Sequence, residues 1–341
     1  MSNRSFSTLN MHPDLIKNLS SLGFESMTPI QADSLPDILA GKDVIAQGKT
    51  GSGKTAAFGL GLLNKLDVKL LHVQSLVLCP TRELADQVSK EIRRLARSIP
   101  NIKVLTLCGG MPFGPQIGSL QFGAHIIVGT PGRIEDHLSR GTLNLDHVTA
   151  LVLDEADRML EMGFQASLDN IIAQVPKWRQ TLLFSATFPD QIKAISKRIM
   201  LKPVMVQVES THDSSTISQH FYQAGDFKSA MTALRLLLLQ HSLESTVIFC
   251  NTKRETQEIA DELVSHGFSA LALNGDLEQR DRDQTMVRFA NRSTSILVAT
   301  DVAARGLDID ALDAVINFQL PHEPETYVHR IGRTGRAGSK G

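Results

Sequence analysis

The sequence is poor in cysteine and in aromatic residues, and it has no long hydrophobic run. Its three cysteines, Cys79, Cys108 and Cys250, are an odd number at wide spacing, which fits neither a disulfide framework nor a zinc site. Apolar runs such as Leu236–Leu239 are far too short to cross a bilayer. No hydrophobic segment of a secretory signal follows Met1. We therefore expect buried, reduced thiols in a cytoplasmic protein without a membrane segment.

An excess of charge is also lacking. The chain has 35 Lys and Arg residues against 36 Asp and Glu residues, a formal net charge of −1. It therefore does not have the strong basic excess of many nucleic-acid binders, and any such binding must come from local placement of basic side chains. At 341 residues the chain is long enough for two domains with separate cores.

Against this background, the segment Gly48–Thr55 is the strongest chemical signal. It fits the phosphate-loop pattern G-x-x-x-x-G-K-[ST] at every position, between an apolar strand pattern at 43–46 and a helical pattern. Glycines let backbone N–H groups surround an anion at a helix N-terminus. Lys54 can reach the β- and γ-phosphates, and the Thr55 hydroxyl can bind Mg²⁺. The plain alternative is a flexible glycine loop at a helix start. We interpret the segment as a nucleoside triphosphate site, with Gly51, Ser52, Gly53, Lys54 and Thr55 as ligands.

Short apolar runs alternate with helical patterns along the chain. Near-continuous apolar strands separated by helices indicate parallel sheets covered on both faces. The strand patterns are 43–46, 75–79, 104–107, 125–128, 150–153, 181–184, 246–250, 270–273, 295–298 and 314–317, and the clearest helical patterns are 83–97, 132–139, 227–240 and 254–266. Because 209–218 is polar and aperiodic, we predict an N-terminal α/β domain at 1–208, a linker at 209–218 and a C-terminal domain at 219–341.

Two carboxylates, Asp154 and Glu155, follow the predicted strand at 150–153. Carboxylates at the carboxyl end of a parallel strand lie where such sheets present their ligands. With the phosphate loop in the same sheet, Asp154 can hold Mg²⁺ together with Thr55 and water, and Glu155 can orient the attacking water. The plain alternative is a helix N-cap and first turn.

The same carboxylates open Asp154-Glu-Ala-Asp157, and here the chain resembles the DEAD-box RNA helicases. The other motifs of that family stand in order from Phe6 to Arg336. They are 23–31 (Q motif), 80–84, 109–110, 130–133, 185–187 (Ser-Ala-Thr), 247–252, 279–282, 299–308 and 329–336. Between the motifs, the sequence most resembles a bacterial member that acts on ribosomal RNA.

The resemblance implies two RecA-like, doubly wound parallel-sheet domains in tandem, the P-loop NTPase fold of helicase superfamily 2. It implies that Gln31 and Phe24 recognise adenine, that Asp308 contacts the ribose, and that Ser185 and Thr187 couple hydrolysis to unwinding. The implied catalytic residues are Lys54, Asp154, Glu155 and the arginine fingers Arg333 and Arg336. The implied RNA-binding residues are Thr81, Arg82, Gly110, Thr130, Gly132, Arg133, Asn251, Arg282 and Thr300.

Several of these residues have plainer interpretations. Phe24 suits core packing, the loops at 81–82 and 130–133 suit turns and helix starts, and Arg333 and Arg336 suit surface charge or RNA binding. We also expect the lone tryptophan, Trp178, to be partly buried between a helix and a strand. Stacking on a base is its alternative role.

The resemblance implies a monomeric, RNA-dependent ATPase that unwinds short RNA duplexes, acting on ribosomal RNA during ribosome assembly. An ATP-gated RNA clamp with little unwinding and a DNA translocase are the alternatives. The chain stops five residues after Arg336, whereas family cores continue with a further strand and helix. We therefore expect a truncation here and leave open a C-terminal RNA-binding module.

Replacing the loop lysine tests the phosphate site directly. We expect Lys54→Ala to abolish ATP turnover, because it removes the positive charge that the β- and γ-phosphates require. Steady-state phosphate release is the measurement. Turnover near the unsubstituted level would contradict the assignment of the whole site.

Overall fold

The computed structural model describes residues 4–48, 51–208, 217–241, 243–304 and 312–334. The chain divides into two compact units, Met1–Ser210 and Thr211–Gly341. Most of the predicted linker, residues 209–216, lies outside the described residues. No helix in the described ranges is both long and apolar enough to cross a membrane.

The first unit is a parallel sheet covered by helices. Its strands are β1 (Val44–Gln47), β2 (Ser75–Leu78), β3 (Val104–Leu107), β4 (Ile126–Gly129), β5 (Ala150–Leu153), β6 (Gln180–Ser185) and β7 (Val204–Gln207). They lie in the order β3-β4-β2-β5-β6-β1-β7, and every pair is parallel. The helices are α1 (Pro13–Ser21), α2 (Pro29–Leu39), α3 (Lys54–Lys65), α4 (Arg82–Leu95), α5 (Phe113–Gln121), α6 (Pro131–Ser139), α7 (Ala156–Glu161), α8 (Gln165–Ala173) and α9 (Asp190–Ile199).

Alternation along the strands divides the core of this unit in two. Successive side chains of a strand point to opposite faces, so Val77 belongs to one hydrophobic cluster and Leu76 and Leu78 to the other. All three are fully buried. Continuous apolar runs are therefore what this sheet requires, and they are the pattern that predicts its central strands.

The edge strand β7 was not predicted. Only Val206 of its four residues is buried, because β7 has a neighbour, β1, on one side only. An edge strand that buries one residue needs no continuous apolar run, so its sequence carries little signal.

The second unit has the same architecture on a smaller scale. Its strands β8 (Thr246–Cys250), β9 (Ala270–Leu273), β10 (Ile296–Thr300) and β11 (Ala314–Asn317) lie in the parallel order β11-β8-β10-β9. The helices are α10 (Phe227–His241), α11 (Lys253–Ser265), α12 (Gln279–Ala290), α13 (Asp301–Ala304) and α14 (Pro324–Ile331). The prediction of two parallel-sheet α/β domains in tandem is confirmed.

The three cysteines are free and buried, as expected. Burial raises the pKa of Cys108 to about 11 and that of Cys250 to about 12, and it raises the pKa of Cys79 well above its ordinary value. The thiols are therefore protonated at neutral pH, and none is a reactive nucleophile.

The expectation for Trp178 is wrong: its side chain is 88% exposed. It lies between α8 and β6, where the neighbouring Arg179 turns inward instead. Arg179 Nη1 donates to the carbonyl oxygens of Pro176, at 2.8 Å, and Val175, at 3.5 Å. The arginine is thus held against the segment that follows α8, and the tryptophan lies in solvent.

The packing of α3 on α2 predicts a stability difference between two glycine substitutions. A Cβ at Gly61 would lie 2.2 Å from Cγ2 of the fully buried Ile38, so Gly61→Ala should destabilise the first unit by about 1–3 kcal/mol. At the control position, Gly118 in α5, a Cβ meets nothing within 4 Å, so Gly118→Ala should stabilise by up to about 1 kcal/mol. Urea unfolding followed by far-ultraviolet circular dichroism measures both. Equal effects would contradict the close approach.

Candidate functional site

The strand order gathers the predicted ligand-binding residues into two groups at the carboxyl edge of the first sheet. β5, β6 and β1 are neighbours; Asp154 follows β5, Ser185 ends β6, and the glycine loop follows β1. β3, β4 and β2 are neighbours on the other side, and they precede Gly110, the 130–133 segment and Arg82. The order of the strands therefore places the predicted nucleotide site beside the predicted RNA site.

The lysine of the glycine loop donates a hydrogen bond to the first residue of the loop. Gly51 and Gly53 have φ values of 79° and 93°, in the left-handed region that glycine adopts without strain. Lys54 begins α3 and is 6% exposed, and its Nζ donates to the Gly48 carbonyl oxygen at 2.6 Å. Residues 49 and 50 lie outside the described residues. Thr55 is half-buried in the first turn of α3. The buried ammonium thus lies against the loop that would enclose a phosphate.

Gln31 joins the start of α2 to the glycine loop. Its Oε1 accepts from the Thr28 backbone N–H at 2.9 Å, and its Nε2 donates to the Gly53 carbonyl at 3.1 Å. Thr28 Oγ1 donates to the Ser52 carbonyl at 2.8 Å. With Gln31 only 2% exposed, the amide has one N–H and one lone pair left for a ligand. Two side chains of the predicted adenine-binding segment therefore hold the loop directly.

Phe24 packs as the plainer interpretation suggests. It is half-buried against the core of the first unit, and the centres of the Phe6 and Phe24 rings lie 6.1 Å apart with the two rings nearly perpendicular. The guanidinium of Arg94 lies 5.4 Å from the same centre. One aromatic and one cationic neighbour therefore already contact this ring.

Asp154 provides a buried oxygen that is suited to a cation. It follows β5 and is 2% exposed, and its Oδ1 has no hydrogen-bond partner among the described residues. Burial raises the pKa of Asp154 to about 7, against the opposing effect of the Lys54 charge. A divalent cation beside Thr55 would give that oxygen a partner and favour its ionised form. The residues present therefore fit Mg²⁺.

Glu155 occupies the cap position of α7 without capping it. Its backbone is left-handed, with φ 52° and ψ 52°, and its side chain makes no cap hydrogen bond. Its Oε2 instead lies 2.6 Å from Arg158 Nη1, and both side chains are largely buried. The helix-cap alternative therefore does not account for this carboxylate.

Asp157 connects the segment after β5 to the segment after β6. Its Oδ2 accepts from the Thr187 backbone N–H at 2.8 Å and from Thr187 Oγ1 at 2.9 Å, and its own N–H donates to Ser185 Oγ at 3.3 Å. The Ser185 carbonyl in turn accepts from the Gly48 N–H at 3.0 Å. The motif contains Asp157, but sequence spacing alone does not show these partners. The three segments form one hydrogen-bonded group.

Arg82 lies over a glycine in the other half of the edge. A Cβ on Gly110 would fall 1.8 Å from Arg82 Nη1, so only glycine leaves room for the guanidinium. That Nη1 is buried without a hydrogen-bond partner among the described residues. Thr81 caps α4 through its hydroxyl, which accepts from the Leu84 N–H at 3.3 Å. An anion at this position would supply the acceptor that Arg82 lacks.

Arg133 differs because the protein itself occupies part of its guanidinium. Its Nη1 donates to the Met111 carbonyl at 3.1 Å and to Gln116 Oε1 at 2.9 Å. In the same segment, Thr130 is buried without a side-chain cap bond, and Gly132 has open space around its Cα. Of the two arginines of the first unit that are predicted to bind RNA, Arg82 is therefore the one whose hydrogen-bonding capacity is less used.

Two of the RNA-binding residues predicted in the second unit also lie at the carboxyl ends of strands. Asn251 follows β8 and Thr300 ends β10, where its hydroxyl accepts from the Ala303 N–H at 3.4 Å. Arg282 in α12 donates to the Ala303 carbonyl at 2.7 Å. Arg333 lies in the turn after α14 and is 9% exposed. Asp308 and Arg336 lie outside the described residues.

Sequence reasoning gave no role to Arg330, although this residue belongs to a quoted motif. It is 1% exposed and forms an ion pair of 2.7 Å with Asp301. Charged side chains are almost never fully buried unless they are paired, so this burial indicates a structural role. No local pattern marks it, because its partners come from other strands.

The chain is similar to known proteins over nearly all of its length. The profile of the DEAD/DEAH box helicase family matches residues 28–195, and that of the helicase conserved C-terminal domain matches 228–338. ATP-dependent RNA helicase DbpA of Escherichia coli is 59% identical over 338 residues, covering 99% of this chain and 74% of that protein.

Two further relatives extend the comparison. DEAD-box ATP-dependent RNA helicase CshA of Bacillus cereus is 46% identical over 99% of this chain and 64% of its own length. The structure of Saccharomyces cerevisiae Dbp5 bound to RNA and ADP BeF3 is 32% identical, with a TM-score of 0.87 over 99% of this chain and 88% of that one.

The tie between Thr28 and Ser52 gives a test of the nucleotide site. Thr28→Val keeps the size of the side chain and removes one hydrogen bond worth about 0.5–1.5 kcal/mol, so it should weaken ATP affinity by about two- to twelvefold. The control is Thr149→Val, which removes a similar bond to the Gln74 carbonyl at the opposite edge of the sheet. Binding of a fluorescent ATP analogue is the measurement, and equal losses in both variants would contradict a local role.

Proposed function

The chain belongs to the DEAD-box family of ATP-dependent RNA helicases, and from this membership we propose that it hydrolyses ATP in response to RNA and opens short RNA duplexes by closing its two units. One observation carries the proposal. The segments after β5, β6 and β1 and those after β3, β4 and β2 lie side by side along one sheet edge. Nucleotide and RNA would therefore bind to neighbouring strands of the same rigid sheet.

In this proposal the first unit supplies the nucleotide chemistry. Lys54 and the backbone N–H groups of the glycine loop bind the phosphates, and Gln31 uses its remaining donor and acceptor for adenine. Thr55 and Asp154, with water, hold Mg²⁺, which neutralises developing charge on the phosphates. Glu155 orients the attacking water, and its ion pair with Arg158 fixes the position of the carboxylate. Phe24 serves the adenine site through packing.

RNA binds to the other half of the edge. Thr81, Arg82, Gly110, Thr130, Gly132 and Arg133 supply hydroxyls, guanidinium groups and accessible backbone, and Asn251, Arg282 and Thr300 continue the track on the second unit. Such groups bind phosphate and sugar and carry little base information. Binding by these residues is therefore largely independent of sequence.

Domain closure completes the catalytic site. Arg333 and Arg336 contact the γ-phosphate when RNA and ATP hold the units together, and Asp308 contacts the ribose. An arginine finger can contribute about 10³–10⁵ in rate, so hydrolysis without RNA is slow. The contact of Asp157 with Ser185 and Thr187 relays the state of the nucleotide to the strand that carries the coupling motif.

The cellular substrate that we propose is ribosomal RNA, recognised by a monomeric, cytoplasmic helicase during ribosome assembly. The support is the similarity to DbpA, both between the motifs and over 99% of this chain. The chain spans 74% of the length of that protein and 64% of that of CshA.

A pair of assays tests the proposed function. ATP turnover should rise at least tenfold with saturating RNA and far less with DNA of equal sequence, since arginine fingers that arrive only on closure are worth about 10³ or more. The chain should also separate a short RNA duplex in a strand-displacement assay. Stimulation without displacement would favour an RNA clamp, and equal stimulation by DNA would favour a DNA translocase.

The contact of Arg82 with Gly110 gives a matched test of the RNA site. Gly110→Ala would displace the guanidinium and strain a left-handed residue with φ 72°, so RNA affinity should fall about tenfold, the loss of one charged hydrogen bond. At the neighbouring Gly109 a Cβ meets nothing within 4 Å, so Gly109→Ala should bind RNA normally. Both variants should keep ATP affinity. Fluorescence anisotropy with labelled RNA measures the difference, and equal RNA affinities would contradict the site.

A further inference from the structure

One buried arginine holds the carboxyl edge of the second sheet together. Arg330 lies in α14, and its guanidinium group is closed off from solvent. Its Nε donates to Asp301 Oδ1 and its Nη2 to Asp301 Oδ2, both at 2.7 Å, which is the paired geometry of a guanidinium with a carboxylate. Asp301 immediately follows β10, so this ion pair fixes α14 to the end of that strand.

The remaining N–H groups of Arg330 reach two further strands. Nη1 donates to Asn317 Oδ1 at 3.0 Å and to the Gln319 carbonyl at 2.7 Å, at the end of β11. Nη2 donates to Asn251 Oδ1 at 3.0 Å, just after β8. All five N–H donors of the guanidinium group therefore have partners. Its carbon also lies 5.0 Å from the centre of the buried Phe249 ring in β8.

The partners of Arg330 are themselves connected. The Asn251 N–H donates to Gln319 Oε1 at 3.0 Å, and Asn251 Nδ2 donates to the Leu320 carbonyl at 3.2 Å. The segments after β8, β10 and β11 thus form one network with Arg330 at its centre. Two residues proposed to bind RNA are close to this network. Asn251 is a member of it, and Thr300 directly precedes its member Asp301.

The turn that carries Arg333 directly follows α14, the helix that the Arg330 side chain anchors. The Arg333 backbone N–H donates to the Arg330 carbonyl at 3.2 Å, and Thr334 Oγ1 donates to the Leu312 carbonyl at 2.5 Å. The Arg330 side chain thus binds the segments at the carboxyl ends of three strands, and its backbone carbonyl begins the turn that bears the proposed arginine finger.

We propose that Arg330 is the positioning residue that couples RNA binding to ATP turnover within the second unit, by fixing the segments that bear Asn251 and Thr300 to the turn that bears Arg333. The inference rests on the proposed function and deepens it. Arg330 does not itself touch ATP or RNA. A planar guanidinium is required because no other side chain offers five donors in one plane to three strands, and a lysine, with three donors on a point charge, cannot replace it.

The test separates coupling from binding in the 341-residue chain. The coupling factor is the ratio of RNA dissociation constants measured without and with a non-hydrolysable ATP analogue; such factors commonly lie at about 5–150. Arg330→Lys should lower it about tenfold and reduce RNA-stimulated turnover in parallel. Because neither ligand touches Arg330, each dissociation constant measured alone should change by less than about threefold, less than one lost charged hydrogen bond.

Two further variants complete the comparison. Arg292→Lys makes the same change in an exposed ion pair with Glu244 in the same unit and should leave the coupling factor unchanged. Asn317→Ala removes one acceptor and leaves the ion pair of Arg330 intact, so it should lower coupling by up to about tenfold, the loss of one hydrogen bond to a charged group. This variant decides the question if Arg330→Lys does not fold.

The outcomes are distinct. Normal coupling in a folded Arg330→Lys chain, or in Asn317→Ala if Arg330→Lys does not fold, overturns the proposal. A second outcome also overturns the proposal: basal turnover, affinity for the analogue and the coupling factor all fall in proportion to the folded fraction. Arg330 would then only maintain the fold. A wild-type chain with a coupling factor of one would instead overturn the proposed function, before any variant is compared.

Discussion

The parallel direction of every strand is the constraint on which the rest of this structure depends. It gives each strand a free carboxyl end on the same edge, so that side chains far apart in sequence come to lie next to one another. In the first unit the two ligand-binding halves meet at one strand pair, β2 with β5, where Leu78 is in register with Leu153. Neighbouring strands lie about 4.8 Å apart. No strand separates the two halves. A shift of β5 in the nucleotide half therefore acts directly on β2 in the RNA half, through the hydrogen bonds between these two strands.

Buried polar atoms distinguish the ligand-binding residues from the supporting residues. Asp154 Oδ1 in one half of the edge, and Arg82 Nη1 and Arg133 Nε in the other, are buried without hydrogen-bond partners in the described part of the chain. A buried unsatisfied group costs free energy, and a ligand of opposite charge would recover it. Arg330 is the opposite case, because the protein already satisfies every donor of its guanidinium group. A buried group without a partner is suited to binding a ligand. A group whose donors are all satisfied within the protein, such as the Arg330 guanidinium, is suited to holding segments of the chain in place.

Much of the fold could be predicted from the sequence, because the central strands bury both faces and leave continuous apolar runs. The glycine loop was equally clear, since Gly51, Gly53 and Lys54 are required at fixed spacing. The edge strand β7 and the exposure of Trp178 left no such pattern. The partners of Arg330 could not be predicted, because they lie 11 to 79 residues away. Only the order of the strands brings them together.

The exposure of Trp178 has a consequence for spectroscopy. It is the single indole chromophore of the chain, and it precedes β6, at the amino edge of the first sheet, away from the glycine loop. Its emission is therefore already that of a hydrated indole in the native protein. Melting of the hydrophobic clusters would shift this emission very little, and a ligand at the carboxyl edge would scarcely quench it. Intrinsic fluorescence would consequently report an intact chain and an unfolded one as nearly alike, whereas a dye attached near the carboxyl edge would not.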